Sequence, residues 1–154
     1  MTAKPKYSKV IPSMKNLPQI KLQPHLKHRV ILWFRNDLRM HDNPVLHWAL
    51  TQSKVEEREI IPVYCFDPRF FDDSVPKFAM NRKTGIHRTQ FQVECAEDFR
   101  ASLQSIGSDL LVSHEKPESF IKKLVKPGVM NTVVYQAEFI AEERHVEDLM
   151  KKEL

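Results

Sequence analysis

The stretch VILWFRNDLRMHDN, residues 30–43, decides how this sequence is interpreted. It opens with five consecutive apolar residues, Val30 to Phe34, which is typical of a short strand covered on both faces, as in a parallel sheet. It closes with Asn43, and Pro44 follows, a pair that predicts a helix N-cap with proline at the first helical position. The stretch therefore predicts a strand, a polar loop and the beginning of a helix.

Strand and helix patterns alternate along the rest of the chain. After the strand that starts at Arg29, further strands are predicted at 60–66, 109–114 and 132–135. Helices are predicted from Pro44, at 87–106, at 117–125 and from about Glu138. Such alternation specifies a parallel sheet with helices on both faces, reached by right-handed crossovers. The predicted fold class is α/β, a doubly wound, Rossmann-like parallel sheet of four strand–helix units.

Three local features refine this prediction. Pro62 indicates that the second strand starts near an edge or an irregularity of the sheet. Gly107 is well placed to end the long helix. Residues 67–86 have no regular period, so they form either a functional loop or a tolerated insertion. The long helix carries apolar residues at every fourth position, which predicts one buried stripe: Phe91, Cys95, Phe99 and Leu103.

Composition supports one small domain preceded by a basic leader. The chain has 154 residues, of which 42% are hydrophobic and 29% are charged, as in a globular domain. Residues 1–29 carry seven of the 24 Lys and Arg and no Asp or Glu, which leaves residues 30–154 with a net charge of −3. We therefore assign residues 1–28 to a disordered basic leader and 29–154 to the α/β domain. The overall charge of +4 is then no argument for nucleic-acid binding.

Several function classes are excluded or left open by composition. Three glycines, none close together, exclude the Gly-rich dinucleotide fingerprint and the Walker A loop. No apolar run approaches the ~20 residues of a membrane span. Two cysteines in apolar contexts predict a reducing, intracellular compartment. The leader is either a mitochondrial or plastid transit peptide or a solvated extension, because it lacks acidic residues but is rich in Lys rather than Arg.

Candidate functional residues follow the strands, because ligands of an open parallel sheet bind beyond the carboxyl ends of the strands, near the switch in strand order. The densest group follows the first strand, where Arg35 and Arg39 flank Asp37. These side chains either form an internal ion-pair knot together with Asp42, or contact an anion or a heterocycle.

Carboxylates after two later strands are further candidates. Asp67, followed by proline, either starts an Asx turn or contacts a ligand. Glu138 is predicted to stand at the start of the last helix, where the helix dipole stabilises a carboxylate that can accept hydrogen bonds from a ligand. The carboxylates that follow at helical spacing predict a solvated face: Glu142, Glu143 and Glu147. No catalytic residue and no metal site are predicted, since the cysteines and histidines lack the spacing of either.

The residues quoted above resemble a known family. Residues 30–43 resemble the opening motif of the photolyase/cryptochrome family. The segments PVYCFDPR (62–69) and KTGIHR (83–88) resemble its DASH-type cryptochromes. The helix that follows also fits, so the resemblance covers the domain from residue 29 onward. Ile86 stands where DASH sequences usually have proline, and the leader matches nothing in the family.

The resemblance implies the amino-terminal antenna domain of a light-dependent flavoprotein. In this family the domain holds an antenna chromophore, often methenyltetrahydrofolate, beside a helical domain that binds FAD and receives a pyrimidine dimer of DNA. Light absorbed by the antenna excites the reduced flavin, which splits the dimer, and DASH proteins favour damage in single-stranded DNA. Carried over by position, Glu138 matches the carboxylate that hydrogen-bonds the antenna pterin. Arg35, Asn36 and Phe66 fall where the strand-end loops approach the chromophore.

The same resemblance implies which parts of the family's fold this chain does not contain. The chain ends after the fourth strand–helix unit, before the family's fifth strand and helical domain, so no residue that binds FAD or a DNA lesion carries over. We therefore expect the antenna domain of a DASH-type cryptochrome or photolyase, a blue-light photoreceptor or repair flavoprotein at full length, that is inactive alone.

Its expected partner is the helical domain, in cis or on another chain, and we expect contact with DNA only through that domain and none with a membrane. The alternative is a stand-alone pterin- or nucleotide-binding α/β module without enzymatic activity. An exposed sheet edge and an uncovered apolar face also predict poor stability of the isolated chain.

Overall fold

The computed structural model describes residues 27–53, 57–71 and 84–154. Its strands are β1 (His28–Phe34), β2 (Glu59–Cys65), β3 (Leu111–Ser113) and β4 (Met130–Val134). Its helices are α1 (Pro44–Ser53), α2 (Pro68–Phe71), α3 (Ile86–Ser105), α4 (Pro117–Leu124) and α5 (Ala141–Glu153). The predicted disordered leader, up to residue 26, and residues 72–83 of the predicted loop lie outside the described residues.

The four strands form one parallel sheet in the order β3-β2-β1-β4. β1 lies inside the sheet, and its Leu32 pairs with Pro62 of β2 and with Val134 of β4. From β1 the chain adds β2 and then β3 on one side, and it adds β4 on the other side of β1. The switch in strand order therefore lies between the carboxyl ends of β1 and β4. This topology confirms the predicted α/β, Rossmann-like fold, and ligands of such sheets bind near the switch in strand order.

Helices cover both faces of the sheet. On one face α1 and α3 pack against β1, as in the contact of Phe99 with Phe34, whose ring centroids lie 4.8 Å apart at 68°. On the other face α4 and α5 pack in a cluster that includes Trp33 and Val146. Because side chains alternate along a strand, Arg35 continues the Trp33 side of β1 and points toward α5.

The predicted strands are confirmed, although β3 is shorter than predicted. Asp109 accepts a hydrogen bond from the backbone N–H of Leu110 at 2.8 Å, and the strand starts only at Leu111. Pairing of β3 with β2 begins at Val63. At Pro62, β2 therefore has β1 as its only paired neighbour among the described strands, which explains how the sheet accommodates a residue without a backbone N–H.

The structure corrects the predicted stripe of α3. Phe99 and Leu103 are buried, but Phe91 is 65% exposed and Cys95 is only half-buried. A spacing of four residues drifts around a helix of 3.6 residues per turn, so the buried face includes Val93 and Ala96 instead.

Gly107 ends α3 as predicted. It has a φ of 82°, and its N–H donates to the carbonyl of Gln104 at 3.0 Å. The N–H of Ser108 donates to the carbonyl of Leu103 at 3.0 Å, which completes a Schellman motif.

β4 forms an edge of the described sheet. Asn131 to Val134 are half-buried, and Met130 is 65% exposed. Among the described helices, none combines the length and the apolar character needed to cross a membrane.

Candidate functional site

The loop after β1 is held by hydrogen bonds between side chains and the backbone, and not by an ion-pair knot with Asp42, which was one of the two alternatives. Asp37 is buried, and its Oδ1 accepts from the backbone N–H of Arg35 at 2.8 Å. The amide of Asn43 donates to the carbonyl of Asp37 at 2.8 Å, and its Oδ1 caps α1 by accepting from the N–H of Leu46 at 3.1 Å. Arg39 donates to the carbonyl of Asp42, not to its carboxylate. The N-cap prediction is confirmed, and the loop has a fixed shape.

The ion partner of Arg35 comes from the far end of the chain. Its Nη1 lies 2.5 Å from Oε1 of Glu147 in α5, and the two side chains are only 9% and 8% exposed. The guanidinium also lies over the ring of Trp33, at 4.7 Å from the centroid. Its Nη2 donates to the carbonyl of Glu143 at 3.3 Å. Arg35 therefore joins the end of β1 to α5.

Glu138 lies beside Asn36, as expected for residues at the ends of neighbouring strands. Oε1 of Glu138 accepts a hydrogen bond from Nδ2 of Asn36 at 2.8 Å. The predicted position of Glu138 at a helix start is wrong, because α5 begins at Ala141 with Ile140 as its extended N-cap. Glu138 is thus a half-buried residue of the β4–α5 loop, and its side chain is held by this contact with Asn36.

Glu147 is the residue that the sequence interpretation missed. It was predicted to lie on a solvated face, but it is 6% exposed. The same Oε1 that binds Arg35 accepts the backbone N–H of Glu138 at 2.8 Å. The signal was present in the spacing, since Glu147 falls next to Val146 and three residues before Met150, on the buried stripe of α5. We use the name switch crevice for the strand-end surface formed by Arg35, Asn36, Glu138 and Glu147.

A cavity of about 290 Å³ adjoins the switch crevice. Arg35 and Asn36 line this cavity as well, and its other lining residues include Trp33, Tyr64 and Arg88. Two of its lining residues, Gln92 and Glu143, each have a buried side-chain oxygen without a hydrogen-bond partner in the described structure. Buried oxygens of this kind are costly unless a ligand or water satisfies them.

The turn after β2 forms a closed cluster of charges. Asp67 starts the predicted Asx turn, in which its Oδ1 accepts from the N–H of Arg69 at 2.9 Å. The guanidinium of Arg69 also binds the Asp67 carboxylate, and its Nη2 lies 2.9 Å from Oε2 of Glu118 in α4. Arg69 thus pairs with two carboxylates, and Asp67 also lines the cavity.

Phe66 lines neither the switch crevice nor the cavity. It is 1% exposed, and its ring packs edge-on against Tyr64 and Phe71, at centroid distances of 4.9 and 5.3 Å. Burial raises the pKa of both the neighbouring Tyr64 hydroxyl and the Cys65 thiol, so these groups stay protonated at neutral pH. Of the four predicted site residues, the structure brings Arg35, Asn36 and Glu138 together and places Phe66 in the core.

Comparison with known proteins gives a consistent set of relatives. The DNA photolyase family model matches residues 30–154. Cryptochrome DASH of Danio rerio is 42% identical over 125 residues, which cover 80% of this chain and 23% of that protein. A relative named "Cryptochrome DASH, chloroplastic/mitochondrial", from Oryza sativa subsp. japonica, is 41% identical over 126 residues, which cover 80% of this chain and 20% of that protein.

A solved structure gives the same result. The cryptochrome of Synechocystis sp. PCC6803 superposes with a TM-score of 0.73 at 36% identity, over 85% of this chain and 26% of that one. The chain therefore spans about a fifth to a quarter of the length of the relatives it matches.

Proposed function

The chain belongs to the DNA photolyase family, as the amino-terminal domain of a DASH-type cryptochrome, and from this premise we propose that its switch crevice binds a methenyltetrahydrofolate antenna. Proteins of this family bind FAD and an antenna chromophore. The observation that carries the proposal is the Asn36–Glu138 pair at the point where strand order reverses.

The chemistry of the pair supports a pterin ligand. One edge of a pterin carries an amino group beside a ring nitrogen, and a carboxylate can accept hydrogen bonds from both. Glu138 supplies such a carboxylate, and Asn36 holds one of its oxygens at 2.8 Å, which limits rotation of the side chain. The exposed Phe139 follows directly and offers an apolar surface for a flat ring. When bound, the chromophore absorbs blue light and passes the energy on, while these residues bind and orient it.

We assign the flavin and the DNA lesion to a helical domain of the longer protein. The relatives are about four to five times as long as the matched segment, which supports such a domain in cis. In that protein the activity is blue-light reception or light-driven repair of pyrimidine dimers in single-stranded DNA. The 154-residue chain by itself is then expected to neither retain FAD nor cleave dimers.

Titration of the 154-residue chain with methenyltetrahydrofolate tests the antenna proposal directly. We expect a saturable absorbance change near the pterin band, lost in Glu138→Ala. Glu97→Ala, which truncates an exposed glutamate on α3, is the matched control and should bind like the wild type. Equal binding by the Glu138 variant and the wild type, or no binding by either, would contradict the proposal.

A second candidate is a stand-alone module that binds a pterin or nucleotide within the cavity. Its support is the pair of oxygens on Gln92 and Glu143 that find no hydrogen-bond partner among the described residues, together with the cation of Arg88 in the lining. Binding in the cavity is expected to weaken in Gln92→Leu and to be unchanged in Glu138→Ala. Titrating both variants with the folate and with a nucleotide therefore separates the two candidates.

The basic leader supports an organellar location. Plant relatives carry the words chloroplastic/mitochondrial in their names, and residues 1–28 of this chain lack Asp and Glu. We propose that the leader directs import into such an organelle. A fluorescent protein fused to residues 1–28 should enter plastids or mitochondria, and a diffuse signal would contradict this assignment.

A further inference from the structure

We propose that Glu147 is a positioning residue, whose single oxygen Oε1 holds the ends of β1 and β4 at a fixed separation so that Asn36 and Glu138 meet. The expected effect on folate affinity rests on the proposed antenna function. The positioning of the Glu138 loop by Glu147 can be tested without any chromophore.

The geometry places two donors on one atom. Oε1 of Glu147 accepts from Nη1 of Arg35 at 2.5 Å and from the backbone N–H of Glu138 at 2.8 Å. Arg35 is the residue just after β1, and Glu138 lies four residues after the end of β4. The adjacent Asn36 then reaches the side chain of Glu138 at 2.8 Å. Backbone and side chain of Glu138 are thus both fixed, the backbone by α5 and the side chain by the β1 loop.

Burial restricts the positions that the Glu147 carboxylate can adopt. A carboxylate as buried as Glu147 is expensive unless it is paired and fully hydrogen-bonded, and Arg35 supplies the opposite charge. The guanidinium is itself fixed by the Trp33 ring and by the carbonyl of Glu143. The Glu138 N–H therefore binds an acceptor that has little freedom to move. At the start of the β4–α5 loop, the ring of Tyr135 lies 5.2 Å from that of Trp33, and three residues later Glu147 holds the Glu138 N–H.

The alternative to a positioning role is an ion pair that only stabilises the fold. Two double variants distinguish these roles, because both remove the buried charges together. Arg35→Met with Glu147→Met replaces the pair by apolar side chains of similar volume and removes the acceptor for the Glu138 N–H. Arg35→Met with Glu147→Gln also removes both charges but keeps a side-chain oxygen at this position. Buried ion pairs replaced in this way commonly keep the fold.

The readout is hydrogen exchange of the Glu138 amide in the 154-residue chain, measured by NMR. In the wild type this amide is expected to exchange at least about tenfold more slowly than that of its neighbour Phe139, as one charged hydrogen bond allows. The Gln double variant should retain most of this protection, and the Met double variant should lose it. Equal protection in the two folded double variants would overturn the proposal, and so would fast exchange in the wild type, even if a variant failed to fold.

Folate titration of the same proteins then tests whether the positioning of Glu138 affects chromophore binding. The Met double variant should bind methenyltetrahydrofolate about tenfold more weakly than the Gln double variant, with melting temperatures within a few degrees of each other. Equal affinities would refute a positioning role in binding. If the wild type binds no folate, the antenna proposal fails, whereas the exchange comparison still decides whether Glu147 positions the loop.

Discussion

Two strand ends of this domain use the same kind of contact for different purposes. After β1, Arg35 pairs with Glu147 of α5, and after β2, Arg69 pairs with Glu118 of α4. Both pairs tie a strand end to a helix on the same face of the sheet.

They differ in what else the charges contact. Arg69 already binds Asp67, two residues before it, and its side chain is 24% exposed. Glu147 instead receives a backbone N–H from a different strand end, and that loop presents the side chain of Glu138 at the crevice. In both clusters an arginine reaches a helix, whereas the Glu147 oxygen also accepts a backbone N–H from a second strand end, which brings Glu138 to the crevice.

The largest expected effect belongs to the β2 side. Phe66→Ala removes a fully buried ring and should lower the free energy of unfolding by about 3–5 kcal/mol. Chemical denaturation measures this loss. Folate affinity of the protein that remains folded should be unchanged, so a selective loss of affinity at preserved stability would return Phe66 to the binding site.

Next in size is the difference between the two buried glutamates. Glu147→Ala leaves Arg35 buried without a counter-charge and should cost about 3 kcal/mol. Glu118→Ala leaves Arg69 paired with Asp67 and partly solvated, so it should cost only about 1–2 kcal/mol. Equal losses of stability in urea denaturation would mean that Arg69, with Asp67 still beside it, depends on its glutamate as much as Arg35 does.

Asn36→Ala should lower folate affinity and leave stability nearly unchanged, the opposite of what we expect for Phe66→Ala. Asn36 is exposed, so its removal should change stability by less than about 0.5 kcal/mol. Without its amide, Glu138 rotates more freely, and folate affinity should fall about tenfold. Thermal melting and titration of the same sample measure both quantities. A large loss of stability with intact affinity would show that the crevice is structural.

The smallest effect is expected at a third arginine pair, which lies nearer the surface. Arg100 holds the pKa of Asp109 below its ordinary value of 3.8, chiefly through its hydrogen bond to that carboxylate. A carboxyl with a lowered pKa in the folded state contributes stability above pH 3.8, and the contribution disappears as the pH falls through the folded pKa.

Such an exposed pair contributes about 0.2–1 kcal/mol. Asp109→Asn should therefore lower stability slightly at pH 7 and by less at pH 2, as measured by denaturation at the two pH values. The same difference at both pH values would mean that the charge plays no part.

Sequence patterns predicted the elements better than the contacts between them. The strand at 30–34, the Asn43 cap and the end of α3 at Gly107 were all identified, because each depends on residues within a few positions of one another. The buried stripe of α3 was only half right, since Phe91 has the same chemistry as Phe99 but faces away from the sheet. The family resemblance supplied Glu138 as a candidate, whereas periodicity placed it wrongly at a helix start.

By itself, the sequence determined the α/β order of the chain, its caps and the polar residues that follow each strand, because hydrophobic period and capping act locally. Only the tertiary structure decided which of those polar residues act together. Arg35 and Glu147 are separated by 112 positions in the chain, and Asn36 and Glu138 by 102. They meet because β4 pairs beside β1, so which carboxylate is buried and which faces the crevice depends on strand order.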